Sequence, residues 1–505
     1  MAEAAGFRRS EILQSTVNVN QLHREDIQLE VGSVSEEVIV TDDANRGVNT
    51  ENPTLGEVIN ERIIENMPLN GREFIELSGL VPGVSTGSGK TGAIDSKGVS
   101  ASFGGARSRD NSYYVDGADS TDSYFGQLVS SPALDAVKEF RVETSLYSAR
   151  YGRAGGGVIS VVTKSGTNKF SGSLYEFHRD KTLDALPYFY TGTREDSPSY
   201  IQNQFGGTIG GPIIKNSTFF FFSAEFYRQK KPGQFIEGFA PTALERTGNF
   251  SQTLNPYSAS GQPVVIVNPF QYTVTATCPN PNLPLVLPPT QTTPPTSAQH
   301  CQQVVIPSKI LPSNIINPLG VRLMDLIPEP NFNDPIFNLR VFKSGNRTTD
   351  KYLIKLDHNF KDGSTLNGSY NYGKYDNVIP GITEFADQNY YDYGKTIAVG
   401  YTRPLTRTLV SDTKFNYTWS DNGYQHAKSD KNYAAEYGIW LGNEKGDDIT
   451  GFPRVQLYTV GNRFMTLGVQ GPNMRDNNTW YLREDLVYVQ GEHTFSFGAD
   501  IKAQD

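Results

Sequence analysis

Two catalytic-looking spacings overlap in the stretch Pro82-Gly-Val-Ser-Thr-Gly-Ser-Gly-Lys-Thr-Gly92. Gly87-Ser-Gly-Lys-Thr91 ends like a phosphate-binding loop, and Gly83-Val-Ser-Thr-Gly87 fits the G-x-S-x-G that exposes a serine nucleophile. A phosphate loop places four residues between its glycines and lies between a buried strand and a helix N-terminus. Here five residues separate Gly83 from Gly89, a helical pattern precedes them, and Ala93-Ile-Asp-Ser-Lys-Gly98 has no amphipathic period. The serine motif requires a strand, a strained turn and a helix; Pro82 and the Gly/Ser-rich sequel supply neither flank, so Ser85 reads as a loop serine.

The six histidines, His23, His178, His300, His358, His426 and His493, are scattered, with no H-E-x-x-H and no clustered carboxylates. No catalytic residue, metal ligand or cofactor is expected. Asp116 and Asp119 lie near Arg107 and Arg109, a grouping that reads as turns and ion pairs rather than an acid/base centre. Cys278 and Cys301 bracket a Pro-rich segment with no helix or strand pattern. They are expected to form a disulfide in an oxidising compartment, the other reading being two unrelated thiols.

The elements that would carry any site are mostly strands. The chain has 505 residues, 37% hydrophobic, with 27 Tyr, 28 Phe and 48 Gly, a mixture that suits pleated sheets and tight turns. Its formal charge of -9 and lack of a dense Lys/Arg cluster argue against nucleic acid as a partner. No apolar run approaches the length of a transmembrane helix, so a membrane role would fall to strands. The N-terminus shows no signal-peptide pattern, so either the protein stays inside the cell or the chain begins part-way through a gene.

Residues 1 to 41 alternate apolar and polar positions as two or three strands. Residues 42 to 165 mix a helix with short strands: Asn70-Gly-Arg-Glu73 reads as an N-cap with an acid at N3, Phe74, Leu77, Leu80 and Val81 share a helical face, and Pro82-Gly83 ends it. From 166 to 505 the period becomes two. Leu366, Gly368, Tyr370 and Tyr372 alternate with Thr365, Asn367, Ser369 and Asn371, and Phe415, Tyr417 and Trp419 alternate with Lys414, Asn416 and Thr418. About nine strands are expected, near 171–180, 199–214, 217–228, 351–360, 364–373, 395–403, 407–420, 478–490 and 493–502. Tight turns at Lys361-Asp-Gly363, Arg403-Pro-Leu405 and Gln490-Gly-Glu492 alternate with long segments at 181–198, 229–349, 375–393 and 421–477. Short turns at one end and long loops at the other are the pattern of a transmembrane β-barrel, whose apolar side chains face lipid.

An ordered series of motifs resembles the plug of TonB-dependent outer-membrane receptors: Met67-Pro-Leu-Asn-Gly-Arg72 with Leu77, Leu80, Pro82, Gly83 and Val84; Gly105-Ala-Arg107 with Tyr114-Val-Asp-Gly117; and Tyr151-Gly-Arg-Ala-Gly-Gly-Gly-Val158 through Val162-Thr-Lys-Ser-Gly166. The plug signature is thus carried by Asn70, Arg72, Pro82, Gly83, Arg107, Asp116, Gly117, Gly152, Gly156 and Gly157. Asn203-Gln-Phe-Gly-Gly207 and Gly210-Gly-Pro-Ile213 look like early barrel strands of the Oar-like subgroup. Ala5-Gly-Phe7 through Leu29-Glu-Val-Gly-Ser33 is similar to the end of an immunoglobulin-like carboxypeptidase-regulatory-like domain, which implies no peptidase activity.

Glu36 to Thr41, with Glu37, Val38, Ile39, Val40 and Thr41 at its centre, resembles a TonB box. The alternative, that it is the last strand of the β module, stands beside it. The resemblance implies a mainly β chain: a β-module remnant over 1–41, an α+β plug over 42–165, and from 166 to 505 the first part of an antiparallel barrel that has 22 strands in complete members. It also implies a Gram-negative outer-membrane location, TonB with its inner-membrane energising complex as partner, membrane lipid around the wall, and a scarce ligand such as a siderophore, oligosaccharide or peptide. Two other classes are weighed: a surface adhesin or carbohydrate-binding protein, for which Asn389-Tyr-Tyr-Asp-Tyr393 would be an aromatic loop, and an extracellular hydrolase using Ser85.

Overall fold

The computed structural model describes residues 9–12, 31, 37–40, 55–69, 71–87, 100–185, 200–253, 264–275, 300–332, 337–428, 430–439, 451–458, 464–469, 473–491 and 493–505. At the N-terminal side, β1 (Arg9–Ile12) and β2 (Glu37–Val40) pair in parallel.

An inner unit follows. β3 (Leu55–Asn60) runs into a short helix, Glu61–Asn66, which starts where the Asn60 side chain accepts from the Ile63 amide at 3.1 Å. β4 (Val84–Gly87) and β5 (Ser100–Phe103) make a two-stranded ribbon. β6 (Ser112–Val115), β7 (Ala118–Asp119), β8 (Val137–Ser145) and β9 (Val158–Thr163) join β3 in a five-stranded sheet of order β3-β8-β9-β6-β7. Its core is apolar and dry: Phe74, Phe103, Phe140, Val142, Ile159 and Val161 are buried in one cluster, with the Phe74 and Phe140 rings edge to face at 5.3 Å.

Two expectations change here. The segment after residue 70 is a 3-10 turn, Phe74–Leu80, rather than an α-helix, and Glu73 occupies its cap position without a side-chain cap bond. Its backbone bonds close from i to i+3, Glu76 N donating to the Glu73 carbonyl and Val81 N to the Ser78 carbonyl, both at 3.0 Å; Phe74, Ile75, Leu77 and Ser78 are buried while Leu80 stays exposed. Val84–Gly87, where Ser85 reads from sequence as a loop serine, is β4, paired residue for residue with β5 from Val84–Phe103 to Gly87–Ser100. Gly83 enters it with φ +81°, and residues 88–92 lie outside the described residues.

From Ser171 the chain builds a long antiparallel wall. It comprises β10 (Ser171–Asp180), β11 (Ile201–Ile214) and β12 (Thr218–Lys230). An excursion then carries β13 (Gln234–Gly238), β14 (Val267–Thr275), β15 (His300–Val305) and β16 (Leu339–Lys343). The wall resumes with β17 (Asn346–Asn359), β18 (Thr365–Ile379), β19 (Gln388–Pro404) and β20 (Leu409–His426). A second excursion holds β21 (Val455–Tyr458) and β22 (Phe464–Leu467), before β23 (Asn473–Gln490) and β24 (His493–Gln504). The nine wall strands lie in the order β10-β11-β12-β17-β18-β19-β20-β23-β24. All nine strands expected from the alternation are present, and several run further into the segments assigned to loops.

The two faces of the wall differ as the alternation requires. Phe222, Ile354, Ile397 and Trp480 stand on one exposed register row, and Leu356, Val399, Phe415 and Leu482 on the next. Tyr352, Tyr372 and Trp419 form a girdle towards the long-loop end, where the Lys395 ammonium lies 4.6 Å from the Trp419 ring centroid. The opposite face is polar and closes over the inner unit.

The long segments are not bare loops. Ala240, Leu323, Ile327 and Leu339 of the first excursion, Phe385 between β18 and β19, and Tyr433, Phe452 and Leu467 of the second excursion share one buried cluster. The stretch Asn389–Tyr393, expected as an aromatic loop, lies inside β19, and Tyr390 and Tyr391 are buried. They pair with Asn377 and Asp376 of β18, so their rings are committed to the sheet rather than presented for stacking on sugars.

Candidate functional site

The chemistry of this molecule is concentrated where the inner unit meets the polar face of the wall. Lys351 on β17 places Nζ 2.8 Å from Glu73 Oε1 of the inner unit and 3.3 Å from Glu225 Oε1 of β12. Glu73 Oε2 also accepts from Ser131 Oγ at 3.2 Å, and Glu225 Oε2 accepts from Tyr175 OH at 2.9 Å. Four residues along the strand, Lys355 Nζ lies 3.0 Å from Asp116 Oδ1. Asp116 and Gly117 adopt φ of +50° and +81° in the turn joining β6 to β7, which turns the Asp116 carboxylate onto Thr163 N (3.0 Å) and Thr163 Oγ1 (2.6 Å).

Asp119 and Asp122 extend the contact. Lys502 Nζ is 2.7 Å from Asp119 Oδ2, and the Asp119 carbonyl accepts from Asn416 Nδ2 and Thr418 Oγ1 at 3.0 and 3.1 Å. Asp122 Oδ2 accepts from Ser420 Oγ at 2.9 Å and Asn422 Nδ2 at 3.2 Å. Asn371 Nδ2 donates to the Ser130 carbonyl at 2.6 Å, and Arg150 pairs with Asp485 at 2.7 Å. A small apolar patch, Ala133 and Ala136 against Phe221 and Leu353, interrupts this polar surface.

Within the inner unit, Arg141 Nε and Glu143 Oε1 are 3.0 Å apart and buried; burial raises the Glu143 carboxyl, opposed by the Arg141 charge. Burial likewise pushes the Tyr113 phenol up to about 12.

The plug-signature residues divide by role. Arg72 pairs with Asp135 at 2.8 Å and lies 4.9 and 4.5 Å from the Tyr175 and Phe177 ring centroids of β10. Gly156 and Gly157 allow close approach: a Cβ on the first would come within 2.4 Å of Asn111 Oδ1, and on the second within 2.7 Å of the Phe103 ring. Pro82 and Gly83 make the turn into β4, and Gly152 is exposed beside the buried Tyr151. Asp116 and Asp119 do form ion pairs, but with Lys355 and Lys502 across the interface; Arg107 and Arg109 are exposed.

Asn70, Thr41 and Cys278 lie outside the described residues; Cys301 falls in β15, where only the backbone is described, so the expected disulfide is not addressed. Glu37, Val38, Ile39 and Val40 form β2. Ser85 is an exposed residue of β4 opposite Ser102, and His178, His358, His426 and His493 lie on wall strands. Among the described residues no group of three or more His, Cys, Asp or Glu side chains could hold a metal ion.

Sequence reasoning missed Glu73, Asp122, Glu225, Lys351, Lys355 and Lys502. The signal was available in Lys351-Tyr-Leu-Ile-Lys355 and in Glu225 within an aromatic strand: charges at even spacing on the face opposite the apolar one.

The Asp116–Lys355 pair gives a direct check. A double-mutant cycle of Asp116→Asn and Lys355→Met, read by thermal unfolding, is expected to show a coupling of about 1–3 kcal/mol because both groups are buried. Additive losses would mean that the pair does not join the two units.

A polar-in, apolar-out antiparallel wall closed over a separately cored inner unit defines a plugged outer-membrane β-barrel protein. The family model for an outer membrane beta barrel domain matches residues 162–505, and the chain belongs to that family. This places it in the outer membrane. It is also 35% identical over 163 residues to the TonB-dependent transporter Oar of Myxococcus xanthus, covering 31% of this chain and 14% of that protein. The outer membrane transporter YddB from Escherichia coli matches in fold, with a TM-score of 0.52 at 12% identity over 89% of this chain and 48% of that one. The ferripyoverdine receptor of Pseudomonas aeruginosa is similar at a TM-score of 0.41 and 11% identity, over 90% of this chain and 52% of that one. The chain therefore spans about half of these solved proteins and a smaller part of the curated relative.

Proposed function

We propose that this chain belongs to a TonB-dependent receptor that imports a scarce ligand by moving the inner unit, as a plug, within the barrel. The observation that carries this reading is the contrast between two interfaces. The inner unit has its own apolar core, so it keeps its fold when displaced. Apart from the small Ala133/Ala136 patch, its contact with the wall is made by ion pairs and hydrogen bonds, which water can replace at far smaller cost than it can replace an apolar contact. A unit built to stay in place would be glued by apolar side chains.

On this reading the protein is not an enzyme; its work is binding and release. Energy comes from outside through TonB, which adds a strand to an extended segment ahead of the plug. Glu37 to Thr41 is the proposed TonB box, and the pairing of Glu37–Val40 with β1 supports its readiness for main-chain pairing. Siderophores, oligosaccharides and peptides are the ligand classes that follow from the resemblance.

The test is a binding assay between the full chain in detergent and the purified periplasmic domain of TonB. Ile39→Pro removes a backbone donor from the pairing segment and is expected to weaken binding by about tenfold or more, while Ser85→Ala at an exposed position leaves it unchanged. Equal binding by the Ile39→Pro chain would remove the TonB box from 37–41.

A further inference from the structure

Lys231 and Arg347 stand together at the long-loop end of the wall's polar face. Arg347 precedes Lys351 on β17 by an even number of residues, so both side chains point inward, Arg347 about 13 Å further along the strand than the Glu73 pair. Lys231 follows β12 directly. Its amide donates to the Gly345 carbonyl at 2.8 Å, and its Nζ donates to Asn377 Oδ1 at 2.7 Å. The Arg347 guanidinium lies 5.5 Å from the ring centroid of Tyr227, and its Nε is buried without a hydrogen-bond partner.

Other cations around them are neutralised: Arg228 by Asp350 at 2.6 Å, Lys343 by Asp387 at 3.0 Å, and Lys351 by two carboxylates. Among the described residues, neither Lys231 nor Arg347 makes an ion pair. Burial, and then the Arg347 charge, hold the Lys231 ammonium below the usual lysine range. In a chain of net charge -9, two like charges kept side by side without a carboxylate lose stability unless something anionic shares the site.

We propose that Lys231 and Arg347 form an oxyanion subsite of the ligand vestibule, so that the imported solute carries a carboxylate or phosphate group. This rests on the receptor reading above. The ammonium supplies a point charge, the guanidinium supplies directed N–H donors, and Tyr227 and Asn377 hold the two heads in place.

Calorimetric titration of the full chain in detergent tests this, with citrate and inorganic pyrophosphate as the carboxylate and phosphate probes and maltotriose as a neutral control. At least one anion is expected to bind saturably and to weaken as salt rises. Lys231→Gln and Arg347→Gln are each expected to weaken it about tenfold, the size of one charge-assisted hydrogen bond, while Lys231→Arg retains most of it. Heat-modifiable gel mobility shows whether each variant is folded, and the charge-conserving variant separates loss of charge from loss of fold. Saturable binding of neither anion, or anion binding unchanged in both Gln variants, overturns the proposal. Tighter binding of maltotriose than of either anion overturns it also. The TonB assay reads the receptor hypothesis separately: anion binding with no TonB binding would leave the subsite standing and sink transport.

Discussion

Lys351→Met is expected to destabilise the plugged state by about 3–5 kcal/mol, because it leaves the buried Glu225 carboxylate and the part-buried Glu73 carboxylate facing one another with no cation between them. The Lys351 side chain is 2% exposed and serves Glu73 on the plug and Glu225 on the wall at once. Methionine keeps most of the stem's volume, so the loss reports charge rather than a cavity. The measurement is thermal unfolding of the purified chain together with the rate of proteolytic cleavage within residues 71–163. Lys374→Met is the control: its pair with Asp376 spans 3.6 Å at a side chain 43% exposed, and such pairs contribute at most about 1 kcal/mol. Adding Glu73→Gln and Glu225→Gln to Lys351→Met should recover much of the loss by removing the stranded charges. If Lys351→Met behaves like Lys374→Met, the triad does not hold the plug.

The second large effect lies inside the plug. Phe140→Ala removes a fully buried ring packed edge to face on Phe74, at an expected cost of about 3–5 kcal/mol. Because the plug has its own core, the damage should stay local. Hydrogen exchange is expected to speed up in β3, β8 and β9 while amides of β18, β19 and β20 keep their protection. Uniform loss of protection across the wall would show that the two units fold as one, and the gating proposal would lose its physical basis.

These two substitutions mark the limits of what could be read from the chain alone. The wall was legible because period two is a local property: Leu366 to Tyr372 and Phe415 to Trp419 declare an apolar and a polar face whatever they pack against. The motif glycines were legible as a series, but their reason was not. Gly157 is required by the Phe103 ring, which arrives from a strand more than fifty residues earlier. The 3-10 turn at Phe74–Leu80 was misread as an α-helix because its apolar spacing fits both periods. The i-to-i+3 backbone bonding is what distinguishes them.

The aromatic segment Asn389–Tyr393 shows the same limit from the other side. Clustered tyrosines between strands suggest an exposed platform, yet register with β18 draws them into the ladder and buries Tyr390 and Tyr391. The excursions on either side then find a shared core through Phe385, Tyr433 and Phe452, residues whose pairing no local pattern announces.

By itself, then, the sequence determined the β-barrel class, the positions of nine wall strands, the turn chemistry between them and the absence of a nucleotide or hydrolase motif with workable flanks, since each depends on residues close together in the chain. Only the tertiary structure decided what the charged residues do. Asp116 and Asp119 looked like partners for Arg107 and Arg109 nearby, but packing of the wall on the plug brings Lys355 and Lys502 to them from more than two hundred residues away. Ion pairs are chosen by distance in space, and burial makes the chosen pair strong; neither quantity is encoded by spacing along the chain.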